Sequence, residues 1–218
     1  MKLIKGAGGS WRLEIHAELA STSDHLIRLA STVDSGGGEA DCLAVMALRQ
    51  TKGRGQFGRV WQAPEGNLNL SMLLRPNTVL SESPQWSLAA GVAAAEALQS
   101  FVPDVRLKYP NDLILDGAKL GGILVDSAAG ENRLAWLVIG IGINIETAPD
   151  VAEQQTVALA DRGICTAPQD LAIRLLERVA AWRYIIECDG FAAVRRAWFG
   201  WALDPEGARA HLQQWEGG

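Results

Sequence analysis

The chain has few cysteines and few histidines, three of each in 218 residues. Cys42, Cys165 and Cys188 are odd in number, far apart and never in a CxxC spacing. That excludes a disulfide framework and fits free thiols in a reducing compartment. His16, His25 and His211 are scattered and do not alternate with the cysteines, so the sequence predicts no metal site. Positive charge is in deficit: 20 Lys and Arg stand against 25 Asp and Glu, a formal net charge of −5. A broad nucleic-acid surface is therefore not expected. Residues 1–10 are short, polar and glycine-rich and do not read as a signal peptide. The longest apolar run, 134–145, is too short and too glycine-broken to span a bilayer. Together these absences predict a cytoplasmic protein without a membrane partner. Repeats and long low-complexity segments are missing too. What remains is an ordinary globular composition, 48% apolar and 21% charged, at a length suited to one domain or one domain with a small appendage.

Periodicity divides the chain into alternating elements. Apolar and polar residues alternate over 11–19 and 68–75, which predicts strands, and 42–50 reads as a buried strand. Ser21-Thr22-Ser23-Asp24 offers N-cap residues for a helix through about residue 30. A Gly/Ser-rich loop is predicted over 31–41 and a long polar loop over 51–66. Ser83-Pro84 starts an alanine-rich helix over 84–101. Four strands follow, at 105–108, 112–116, 119–127 and 134–145, with Asp116-Gly117 and Gly130-Glu131-Asn132 as turn signals. After an irregular stretch with one helical turn near 157–161, an amphipathic helix is predicted at 168–188 and another at 191–203, followed by a short polar tail. This order is that of an α+β protein, a mixed, largely antiparallel sheet with packed helices.

Four short blocks could carry chemistry. In 108–122, KYPNDLILDGAKLGG, a polar loop enters a strand, and Lys119 opens the next strand beside glycines. A lysine starting a buried strand is costly unless an anion meets it, and glycines beside it let a ligand approach. The same lysine could instead snorkel to a sheet edge, and Asp112 could be a turn residue. In 50–59, alternating glycines leave the backbone bare while Arg54 and Arg59 bring fork-shaped cations, suited to phosphate or carboxylate. The segment lacks the GK[ST] ending of a phosphate-binding P-loop and the spacing of a dinucleotide fingerprint, and could equally be a solvated loop. Trp61 beyond it offers either a core plug or a stacking face for a planar ligand. Gly140-Ile141-Gly142-Ile143-Asn144 ends an apolar strand with glycines, as a bulge or as a ligand approach, and with one amide.

In their order and spacing, Ser21-Thr22-Ser23, residues 50–61, 108–122 and 140–144 resemble the biotin protein ligases over roughly residues 12–200. The resemblance implies the catalytic core shared with class II aminoacyl-tRNA synthetases. It implies ATP-dependent activation of biotin to biotinyl-5′-AMP, then transfer to a lysine of a biotin carboxyl-carrier domain, with Mg²⁺ on the ATP phosphates. Carried over by motif, Ser21, Thr22 and Gln50 would bind the ureido ring of biotin, with Ser23 beside them. Strands near 120–125 and 134–142 would wall its tail. Gly53, Arg54, Gly55 and Gln56 would close over carboxylate and phosphate. Lys119, beside Gly122, would hold the carboxylate and then the phosphoryl charge. Trp61 would pack near adenine with Asn144, and Asp112 would orient the cations or take a proton.

Departures from the family pattern are Gln56 where a further arginine is usual, Phe57 where a polar or basic residue is common, and Tyr109 where a tryptophan is usual. A site with fewer charges is expected to hold its intermediate less firmly. The catalytic domain is expected at 1–189, with a helical tail at 190–218 that leaves too few residues for the small β-barrel usual in the family. Only about ten residues precede the first predicted strand, so no DNA-binding module is expected. Exposed strand edges make a homodimer plausible. The alternatives are a lipoate or octanoate transferase of the same superfamily, and a protein that binds biotin or biotinyl-adenylate with weak transfer.

Overall fold

The computed structural model describes residues 2–6, 9–32, 42–62, 64–152 and 154–213. Most of the loop predicted at 31–41 lies outside the described residues; its first two residues instead close a helix.

Among the described residues eight strands form one sheet: β1 (Lys2–Gly6), β2 (Gly9–Leu19), β3 (Leu43–Gln50), β4 (Leu68–Leu74), β5 (Arg106–Lys108), β6 (Asp112–Leu115), β7 (Ala118–Ala129) and β8 (Leu134–Ile143). Their spatial order is β1-β2-β3-β4-β8-β7-β6-β5. Only β2 and β3 pair in parallel, across the crossover helix α1 (Thr22–Thr32); the other pairs are antiparallel. The α+β expectation therefore holds. At the Asp116-Gly117 hairpin both residues have positive φ, 52° and 79°. That is the backbone a two-residue turn needs to match strand twist, and Asp and Gly tolerate it.

Period-2 alternation assigns the two faces of the sheet. On β3, Ala44 and Met46 enter the main core while Leu43 and Val45 face α1. On β8, Ile139, Ile141 and Ile143 enter the main core while Val138 packs beneath Leu26 and Ala30 of α1. The main core is covered by α2 (Gln85–Leu98), α3 (Pro168–Asp189), α4 (Ala192–Trp201) and α5 (Pro205–Leu212). α2 is apolar on nearly every side, as a helix buried between a sheet and other helices must be. Its Gly91 lies against Trp198 of α4 and Leu107 of β5. α3 takes Pro168 in its first turn, and Trp11 Nε1 donates to Leu176 O at 2.9 Å to fix it on β2.

Two elements depart from expectation. Residues 2–6 form a strand, paired with 9–13 and anchored by buried Ile4. The expected polar tail after Asp204 is a helix: the Asp204 carboxylate accepts from Gly207 N at 3.0 Å, Pro205 starts the turn, and Ala208 and Leu212 are buried. His211 of α5 stacks parallel on Tyr109 at 4.6 Å, so this helix braces the loop that leads to Asp112. Among the described residues no helix is long and apolar enough to cross a membrane.

Candidate active site

A cavity of about 470 Å³ opens on the α1 face of the sheet. It exists because alternate positions of β8 and β7 carry glycine there. Gly140 and Gly142 lie on β8, and Gly122 of β7 is the register partner of Gly142. Side chains at these positions would fill the space. A Cβ on Gly140 would come within 2.7 Å of Ser23 Oγ, and one on Gly142 would overlap the Trp61 indole.

At the α1 end the cavity is closed by a buried hydroxyl–amide network. Gln50 Oε1 accepts from Thr22 N at 2.7 Å and Thr22 Oγ1 at 3.1 Å. Ser71 Oγ is 2.7 Å from Thr22 Oγ1 and 2.9 Å from Ser23 Oγ, and Gln50 Nε2 donates to Asn69 Oδ1 at 3.3 Å. Ser21 caps α1, its Oγ accepting from Asp24 N at 3.2 Å. Ser71 and Asn69 were missed from the sequence, although the signal was present: two polar residues, two apart, on a strand buried throughout. Such groups are retained in an apolar strand when they have hydrogen-bond work to do.

Two of the cations that line the cavity are held by carboxylates. Lys119 Nζ lies 2.7 Å from Asp112 Oδ1, both side chains less than one-fifth exposed. Arg54 is clamped between Asp24 Oδ1 at 2.5 Å and Asp126 Oδ1 at 2.7 Å. Burial is the largest influence on its pKa and lowers it, but the hydrogen bonds it donates to Asp24 and Asp126 outweigh that and leave the guanidinium above its ordinary value, fully charged. The clamp was not legible in the sequence, since Asp126 is 72 residues away.

The glycine-rich loop forms the roof. Gly55 N donates to Arg59 O at 2.8 Å and Trp61 N to Gly53 O at 3.0 Å, so the loop is a narrow hairpin. Gly55, Gln56 and Arg59 line the cavity with Arg54 and Trp61. Phe57 at the tip has φ 56° and is 91% exposed. Gly53 is not in the cavity wall: it faces a second hollow on the loop's other side, and its missing Cβ leaves room for the Trp61 backbone. Trp61 lies over Gly142 and Gly122, with its indole Nε1 lacking a hydrogen-bond partner.

At the far end, Asn144 is buried. Its amide donates to Val157 O at 3.1 Å and Lys119 O at 3.4 Å, leaving Oδ1 without a partner. The segment predicted as irregular contributes here: Lys119 N donates to Gln155 O at 2.8 Å and Val157 N to Lys119 O at 3.0 Å. It brings Pro149, Val151 and Thr156 to the wall. Thus Ser21, Thr22, Ser23, Gln50, Arg54, Gly55, Gln56, Trp61, Asp112, Lys119, Gly122 and Asn144 converge on one cavity and Gly53 does not.

Comparison with known proteins places this geometry. Residues 37–144 match the biotin/lipoate A/B protein ligase family. The chain is 33% identical over 190 residues to the biotin–[acetyl-CoA-carboxylase] ligase of Mycobacterium tuberculosis, covering 82% of this chain and 68% of that one. It is 32% identical over 171 residues to the bifunctional ligase/repressor BirA of Bacillus subtilis, covering 73% of this chain but 51% of BirA, so it spans about half the length of that relative. The biotin protein ligase of Aquifex aeolicus, solved with biotin and ATP, superimposes with a TM-score of 0.72 at 26% identity, over 88% of this chain and 78% of that one. The Leishmania major enzyme, solved with biotinyl-5-AMP, gives 0.64 at 28% identity, over 84% and 81%. With the ordered motifs meeting in one cavity and these likenesses across most of its length, the chain belongs to the biotin protein ligase family.

Proposed function

We propose that this chain activates biotin with ATP and passes the biotinyl group to a lysine of a biotin carboxyl-carrier domain. The observation that carries the reading is the order of groups along β8. The Thr22–Gln50–Ser71 network meets the strand at Gly140, Trp61 at Gly142, and Asn144 lies beyond with Lys119 beside it. At about 3.4 Å per residue, Gly140 to Asn144 spans roughly 14 Å. A ligand laid along that line meets the polar network, then the Trp61 face with the Lys119 ammonium beside Gly122, and then an unpaired amide acceptor, while Arg54, bonded to Asp126 opposite Val138, stands at the network end. Biotinyl-adenylate has its ureido ring, acyl chain, acyl phosphate and adenine amino group in that order.

In the first step a biotin carboxylate oxygen bonds to the α-phosphorus of ATP while the bond to pyrophosphate breaks. Lys119 and Arg54 bring positive charge to the two anions that must meet, fixed in place by Asp112, Asp24 and Asp126. Asp126 faces the second hollow, whereas Mg²⁺ arriving with the nucleotide would find the hard oxygens of Asp112 in the cavity wall. Bound there, the ion would neutralise triphosphate charge. In the second step the carrier lysine amine attacks the acyl carbon, an amide forms and AMP leaves. Asp112 is the carboxylate at hand for the amine proton.

Residues 1–189 are read as the catalytic unit, and 190–218 as a helical extension bracing the loop before Asp112 through the His211–Tyr109 stack. The cytoplasm, where ATP is plentiful, suits the reaction, and the unpaired side of β1 gives an edge on which a homodimer could form. The test is incubation with biotin, ATP, Mg²⁺ and a carrier domain, beside parallel reactions with lipoate and octanoate. Biotin transfer that disappears in Lys119→Ala supports the reading. Transfer of lipoate or octanoate but not biotin would overturn it, as would biotin binding without adenylate formation.

A further inference from the structure

His16 and His25, nine residues apart in sequence, come together in the fold with their ring centroids 5.3 Å apart. Glu14 and His16 are i and i+2 on β2 and share a face of the sheet. α1 folds back over that face and presents His25 from its first turn. One ligand atom from each of Glu14, His16 and His25 lies within 4.8 Å of the others. All three residues are half-buried, and all belong to well-packed elements.

The hydrogen bonding of this cluster is incomplete. His16 Nε2 is buried and has no hydrogen-bond partner. It faces Glu14 Oε2 at 3.6 Å, too far for a hydrogen bond. That separation is close to the edge of a zinc coordination tetrahedron: two ligands each about 2.0–2.2 Å from the ion stand roughly 3.3–3.5 Å apart. We propose that Glu14, His16 and His25 form a three-ligand site for a divalent transition metal of the zinc class, with a fourth position left to water.

The donor types fit. Two imidazoles and one carboxylate are a recurrent zinc set, whereas oxygen-only clusters select magnesium or calcium. Rotations of about 1 Å at the half-exposed side chains would close the 4.8 Å spread to coordination distance. Arg28, whose field reaches His25, is the opposing charge, and Glu14 offsets it. The position has a consequence for the cavity. His25 directly follows Asp24, which clamps Arg54, and lies in the same turn as Thr22 and Ser23. A metal bound here would pin the start of α1 to β2 without entering the cavity, so the inference stands whether or not the ligase reading does.

The experiment titrates zinc chloride into the metal-free full chain, without an affinity tag, by calorimetry. It is paired with nitrogen-15 correlation spectra of the three histidine side chains. One equivalent of zinc should bind, and two imidazoles should shift while His211 does not. His16→Gln and His25→Gln should each weaken binding at least tenfold, Glu14→Gln less, and Cys188→Ser not at all, with folding checked by circular dichroism. Absence of binding at micromolar zinc, or a spectrum in which His16 and His25 stay put, would overturn the proposal. The spectra need only the parent chain, so the result stands even if a variant misfolds.

Discussion

Gly142 lies so close beneath Trp61 that any Cβ at that position would overlap the indole ring. The bare strand and the tryptophan above it therefore act as one unit. Gly142→Ala should push Trp61 off the floor while leaving the Ile141 and Ile143 side of β8 in the core. The expected outcome is a loss of about tenfold or more in biotin-dependent ATP–pyrophosphate exchange, since misplacement of about 1 Å in a reacting site costs that much or more. The melting temperature should change little. Unchanged exchange rates would mean that Trp61 has no part in the chemistry.

Lys119 is the cation whose removal should be most severe. Lys119→Ala should lower the rate of adenylate formation roughly 100- to 1,000-fold, the usual effect of losing one group that stabilises developing negative charge. It also strands Asp112, so a stability loss of about 1–3 kcal/mol is expected. Lys119→Arg keeps the charge but changes its shape, and should recover stability without full activity. Single-turnover measurement of pyrophosphate release separates the chemical step from binding.

Ser71 should matter to recognition rather than to chemistry. Its hydroxyl touches both Thr22 and Ser23, so Ser71→Ala leaves two buried hydroxyls short of a partner. A cost of about 1–2 kcal/mol, or roughly 5- to 30-fold in biotin affinity, is expected with the maximal rate little altered. Calorimetric titration with biotin gives the answer directly. Ser127→Ala, which removes a hydroxyl contact to Ser83 outside this cavity, is the control.

The parts of this fold that sequence revealed are those governed by local rules. Asp116-Gly117 demanded its turn, and Ser21 its helix start, because backbone geometry and capping act over two to four residues. The missed strand at 2–6 is short and becomes regular only by pairing with β2. The missed helix α5 did carry local signals, the Asp204-Pro205 start and the Ala208/Leu212 spacing, but its polar composition masked them. At the site, motif residues were legible, and the groups that hold them were not. Asp24 and Asp126 meet on Arg54 only because α1 and β7 face each other across the cavity. Nor could spacing show that His16 and His25 would meet, since that depends on the angle at which α1 returns over β2.

Glu96 and Trp182 tie α2 to α3 through a 3.2 Å hydrogen bond from the indole. Burial raises the Glu96 pKa above its ordinary 4.5, more than the indole bond and nearby Arg178 lower it. The folded protein therefore holds this proton more tightly than the unfolded chain. The stability it contributes is present below pH 4.5 and is lost as pH rises through the folded value. Glu96→Gln keeps an acceptor for Trp182 and removes the titration. Its melting temperature should exceed the parent's by about 2 °C at pH 7, and the gap should narrow toward pH 4. A gap that widens on acidification would reverse the assignment.

Gln56 lines the cavity between Arg54 and Arg59, and neither it nor the exposed Phe57 is charged. A further cation at position 56 would add a charge-assisted bond to those that Arg54, Arg59 and Lys119 can give an acyl phosphate. Each such bond contributes about 1.5–3 kcal/mol where it forms, and one more should slow escape of the intermediate about tenfold or more. Gln56→Arg should therefore lengthen the half-life of the enzyme–biotinyl-adenylate complex, measured by displacement with excess unlabelled intermediate. The parent should show more biotinylation of bystander lysines than the variant, because free biotinyl-adenylate acylates amines without selection. An unchanged half-life would mean that the loop closes through its backbone, and that the residue at 56 is indifferent.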